Sequence, residues 1–90
     1  MKKIEIICEH YPDEEFLQAD GFDGALLGVV MDFNSEPRLA YSKDKCIEIL
    51  MERMTYDEAL EYFDYNVQGA YVGEKTPIWV DDEILNPEWD

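Results

Sequence analysis

ALLGVVMDFNSEPRLAYS, residues 25–42, decides what kind of domain this chain can build. Residues 25–33 form a nearly continuous apolar run, NSEP follows as a turn signal, and RLAYS (residues 38–42) is short and alternating. Apolar runs bounded by turn residues read as strands, so the stretch predicts a β-hairpin. A helix over residues 25–31 stands as the alternative, because periodicity does not separate a buried strand from a buried helical segment over so few residues.

Working outward, the downstream side is helical. Ser42 is placed to cap KDKCIEILMERM, in which Cys46, Ile49 and Leu50 recur at helical spacing and Ile47 and Met51 widen the apolar face. TYDE (residues 55–58) fits a capping box, the Thr55 hydroxyl accepting from the amide three residues on while Glu58 reaches back. Leu60, Phe63 and Val67 share one face of that second helix, and Gly69 reads as its C-terminal stop. PIWV (residues 77–80) reads as a closing strand, kept to a strand start or an edge by Pro77. Upstream, KIEIIC (residues 3–8) favours a short strand by its β-branched content, and Phe16, Leu17 and Phe22 are expected to pin the turn-rich stretch after it to the core. The expected fold is α+β: a single domain over residues 1–80, a short antiparallel sheet against a helical hairpin, and a loose acidic tail over residues 81–90.

Ninety residues support one thin core. Two cysteines make no disulfide framework, and the N-terminal apolar run is interrupted by Glu5 and too short for a signal peptide or a membrane span, which predicts a cytoplasmic chain. Charge excludes more. Against 7 Lys and Arg stand 22 Asp and Glu, a net charge of −15, while 47% hydrophobic residues leave enough apolar surface to fold. Such a field repels nucleic acid and anionic membranes and attracts basic proteins. It is uneven: residues 1–45 carry ten acids and five bases, and residues 46–90 carry twelve acids and two bases.

GAYVGEKTP (residues 69–77) has the ingredients of a phosphate loop in the wrong order. The position before Lys75 must be glycine for backbone amides to curl round a phosphate, and it is Glu74. A helix-exit turn is the better reading. Cys8, Glu9, His10, Asp13, Glu14 and Glu15 supply metal-ligating side chains, but three Cys and His residues in the whole chain fall short of the four that a closed zinc site wants, and the spacing matches no zinc motif. A solvated acidic turn accounts for them. With one histidine and a buried-face cysteine at Cys46, nothing specifies nucleophilic catalysis, so neither an enzyme nor a cofactor or metal site is expected.

The second helix carries the candidate site. Asp57, Glu61 and Asp64 follow i, i+4, i+7 spacing, which stacks them as a stripe opposite Leu60, Phe63 and Val67, in steps of about 4.5–6 Å along the axis. Like charges so placed repel by a few tenths of a kcal/mol each. A monomer gains nothing from that, whereas a basic partner would relieve it. Tyr62 and Tyr65 join the stripe as candidate partner-binding residues, flanked by Tyr56 and Tyr71, since tyrosine offers contact area at small entropic loss. A merely solvated acidic face is the plain alternative.

The pieces GFDGALLG (residues 21–28), YSKDKCIEIL (41–50), EALEYFDYNVQGAYVG (58–73) and TP (76–77) give residues 21–80 a resemblance to a family of small acidic proteins of bacteriophage and prophage genomes. The resemblance implies a phage setting inside a host cell and transfers no catalytic residue. Charge and resemblance together lead to an expected function: an acidic binding protein that occupies a basic, nucleic-acid-binding surface of a host protein, as DNA mimics and anti-CRISPR inhibitors do. The competing expectation is a structural or self-associating accessory protein, a homo-oligomer whose acidity serves solubility.

Overall fold

The computed structural model describes residues 2–31, 36–69, 73 and 75–85. Its order is helix α1 (Lys3–His10), strand β1 (Leu26–Val30), strand β2 (Arg38–Ser42), helix α2 (Lys43–Leu50), helix α3 (Tyr56–Tyr62) running on into a π-helical segment (Phe63–Gln68), and strand β3 (Ile78–Val80). This is a small α+β domain, as the sequence predicts.

The hairpin reading of residues 25–42 holds, and the helical alternative falls. β1 and β2 pair antiparallel, with Val29 opposite Leu39 and Val30 opposite Arg38. The register shifts between Leu26 and Gly28, so Leu27 is the extra residue of a β-bulge, and it is 52% exposed. β2 is the central strand of the three, and from Leu39 to Ser42 every residue on both its faces is buried.

β3 departs from the expected antiparallel sheet by pairing parallel to β2, with Tyr41 opposite Trp79 and Ser42 opposite Val80. A parallel pair needs a long crossover, and α2, α3 and the π-helical segment supply it. The chain is back beside the start of β2 at Lys75, which donates to the Pro37 carbonyl at 3.0 Å. The sequence marks the strand but carries no local signal for its direction.

The expected strand at residues 3–8 is instead α1. Ile4 and Ile7, one helical turn apart, pack against the core; Ile6 is left exposed. Lys3 Nζ donates to the Leu26 carbonyl at 2.9 Å and Tyr11 Oη donates to Met31 Sδ at 3.2 Å, which ties both ends of the helix to β1. β-branched residues prefer strands only weakly, and here placing Ile4, Ile7 and Tyr11 on one side outweighs that preference. Glu5 in the first turn also matches the helix dipole.

The core joins Phe22, Leu26, Leu39, Tyr41, Ile47 and Phe63 to smaller buried residues. Trp79 closes it, its ring centroid 5.4 Å from both Tyr41 and Phe63 and edge-on to the latter. Of the expected pins, Phe22 is buried, Phe16 is half-buried against the core and Leu17 is exposed. Met51 also lies outside the core, because α2 ends at Leu50.

Both predicted caps are present. Ser42 Oγ accepts from the Lys45 amide at 3.1 Å. The Glu58 amide donates to Thr55 Oγ1 and the Thr55 amide donates to Glu58 Oε1, completing the capping box. The expectation of a loose tail past Val80 does not hold for Asp82 and Glu83. Asp82 accepts hydrogen bonds from Ser42 and from the Asp44 amide, and Glu83 accepts from the Tyr56 hydroxyl at 3.2 Å. Residues 86–90 lie outside the described residues.

Candidate partner-binding surface

The capping box fixes where α3 starts, and burial of Ala59, Phe63 and Val67 fixes which side faces inward. Asp57, Glu61 and Asp64 are all exposed on the remaining side, together with Tyr62 and Tyr65, the latter 77% exposed. Among the described residues, the ion pairs are Lys45–Glu48, Lys75–Glu14 and Lys75–Glu36. None reaches the stripe, so its three carboxylates have no counter-charge there.

α3 does not continue as an α-helix beyond Tyr62. The wider π-helical turn carries Asp64, Tyr65 and Asn66 outward while Phe63 and Val67 stay buried four residues apart. π-helical turns are rare and often mark functional positions. Gly69 ends the segment with φ of −75°, not in the left-handed conformation of a typical glycine stop. Close approach favours glycine instead: a Cβ would sit a tight 3.1 Å from the Asp64 carbonyl oxygen and 3.3 Å from that of Tyr65.

Lys75 is fully engaged in the fold. Nζ donates to Glu14 Oε2 at 2.8 Å and to the Pro37 carbonyl, lies 3.8 Å from Glu36 Oε2, and stands 5.3 Å from the Phe16 ring centroid. Gly73, at φ of +112°, turns the chain ahead of it, and its carbonyl accepts from the Thr76 hydroxyl at 2.6 Å. The lysine that hints at a phosphate loop is a clip between three segments. Glu74 and Tyr71 lie outside the described residues.

Two further groups are placed away from the stripe. Cys8, Glu9 and His10 are exposed on α1, and among the described residues no group of three metal-ligating side chains converges. Cys46 is buried, and burial, with Asp82 nearby, pushes its thiol up to about 12. A thiol so placed is inert at neutral pH.

A cleft of about 770 Å³ that sequence reasoning missed is lined in part by Tyr62, Asn66 and Val67 of the same helical segment. Leu17, Phe22, Leu50, Met54, Val67 and Trp79 give it an apolar lining, and Tyr62 lines it too. Those residues come from four separate segments, which leaves no local pattern to read. Tyr62 belongs to both features.

No protein-family model, no curated protein and no solved structure matches the chain. No described helix is long and apolar enough to cross a membrane.

Proposed function

We propose that this chain is an acidic binding protein of phage type, acting in the host cytoplasm, whose α3 face occupies a basic surface on a host protein. The target surface is one that otherwise grips nucleic acid, so the protein acts as a DNA-mimicking or anti-defence inhibitor and carries no reaction of its own. The observation that supports this most is the stripe of Asp57, Glu61 and Asp64, exposed, without a counter-ion among the described residues, and interleaved with the exposed rings of Tyr62 and Tyr65. A net charge of −15 speeds encounter with a basic partner and makes the association salt-sensitive.

The test is capture from a bacterial lysate at low and high salt, with Asp57→Lys, Glu61→Lys and Asp64→Lys combined as control. A basic nucleic-acid-binding protein recovered at low salt, released at high salt and absent with the triple variant is the expected result. Retention by the triple variant overturns the site.

A self-associating accessory role is the second reading, supported by the exposed apolar side chains of Leu27 and Met31 along the edge of the sheet at β1. Light scattering decides it: a mass of two or more chains, insensitive to mutation of α3, favours this reading.

A further inference from the structure

We propose that the cleft beside α3 receives one large apolar side chain of a short basic peptide segment, so that stripe and cleft form a single docking surface joined at Tyr62. This rests on the proposed function and names the partner's local chemistry: lysines or arginines flanking a leucine-sized or aromatic anchor. The volume of about 770 Å³ lies within the roughly 300–1,000 Å³ typical of ligand clefts, and Leu17, Phe22, Leu50, Met54, Val67 and Trp79 supply apolar lining for an anchor. Asp20 and Glu52, both exposed, also line it, so the cleft offers negative charge to a basic segment as the stripe does. Tyr62 is 44% exposed, lines the cleft and directly follows Glu61 in the helix, so one side chain belongs to both surfaces. The π-helical turn contributes Asn66 and Val67 to the same wall. Arg53 is the one base lining the cleft, set against those two carboxylates, and it makes no ion pair among the described residues. It makes a small amphipathic anion the rival occupant.

The experiment uses the full chain with Trp89→Phe, which leaves Trp79 in the cleft wall as the single tryptophan. Two lysine-rich peptides are titrated at low salt, identical except for a central leucine or alanine, with Trp79 emission and calorimetry as readouts. The leucine peptide is expected to bind about tenfold or more tightly and alone to shift Trp79 emission. Leu17→Ser, a change at an exposed wall residue, removes that advantage without altering the alanine peptide, and Arg53→Gln tightens both. Equal binding of the two peptides with Trp79 silent overturns the inference and leaves the acidic surface standing. Absence of binding by either peptide overturns both. Octanoate that shifts Trp79 emission and loses affinity on Arg53→Gln assigns the cleft to a small anion instead, which also overturns the proposal.

Discussion

The hydroxyl of Ser42 donates a hydrogen bond of 2.5 Å to the carboxylate of Asp82, forty residues further along the chain. The same hydroxyl oxygen caps α2 by accepting from the Lys45 amide, and the other oxygen of Asp82 accepts from the Asp44 amide at 3.0 Å. One polar node thus joins the end of β2, the first turn of α2 and the segment beyond β3. With Cys46 buried one turn along, it fastens the crossover at the end where the helices begin.

Acid should weaken that node. Burial works against the charge on Asp82, but hydrogen bonds from Ser42, the Asp44 amide and its own amide, with Lys45 nearby, hold its carboxyl below the ordinary value of 3.8. A lowered folded-state value means that the stabilisation is fully present above the unfolded-state value and is lost as pH falls through the folded one. Asp82→Asn is therefore expected to cost about 1 kcal/mol at pH 7, near the low end for a cap because the group is partly solvated, and the gap to the parent should narrow below about pH 4. Urea titrations of both proteins at neutral and acid pH check this; a gap that widens on acidification refutes it.

Lys75 makes its contacts with its side chain only 18% exposed, so replacing it strands neighbours that depend on it. Lys75→Met should destabilise by about 1–3 kcal/mol, chiefly by leaving the Pro37 carbonyl and Glu14 without their donor. For a domain of this size that is a fall in Tm of roughly 4–8 °C per kcal/mol. An unchanged Tm would mean that the clip is ornamental.

The two thiols should differ sharply in reactivity. Cys8 is exposed and Cys46 is buried with its thiol pushed up to about 12. A thiolate-directed reagent at pH 8 is expected to modify one cysteine per native chain, mapped by mass spectrometry to Cys8, and both in denaturant. Modification of Cys46 at the native-state rate of Cys8 would contradict the packing around α2.

How much of this could be read from sequence depends on whether the cause was local. The hairpin, the Ser42 cap and the Thr55–Glu58 box rest on residues a few positions apart, and all three are present. α1 was misread because Ile4, Ile6 and Ile7 satisfy either period in so short a run, and only β1 beside them decides. Parallel pairing of β3 depends on where the connector returns, which is set by Lys75 meeting Pro37 and Glu14 far away in sequence. The exposure of Asp57, Glu61 and Asp64 follows from helical spacing and was legible. The cleft, assembled around Trp79 from distant segments, was not.

The stripe should also leave a mark on stability. Asp57 sits in the first turn of α3, where its charge favours the helix dipole, whereas Glu61 lies in mid-helix, since the helical backbone runs on to Gln68, and repels Asp57 four residues before it. The same negative charge is therefore favourable at Asp57 and unfavourable at Glu61. Glu61→Lys removes a repulsion and adds an Asp57–Lys pair at i, i+4, so it is expected to stabilise the free domain by about 0.5 kcal/mol. Asp57→Lys relieves the same repulsion but sets a positive charge at the positive end of the dipole, so it should lower stability by no more than about a few tenths of a kcal/mol. If the face serves a basic partner, both substitutions weaken binding while their effects on stability run in opposite directions. Thermal melts of the two variants beside their partner affinities separate these effects. Loss of stability in Glu61→Lys would show that Glu61 is held by favourable contacts within the fold, and the case for an unsatisfied acidic face would fall with it.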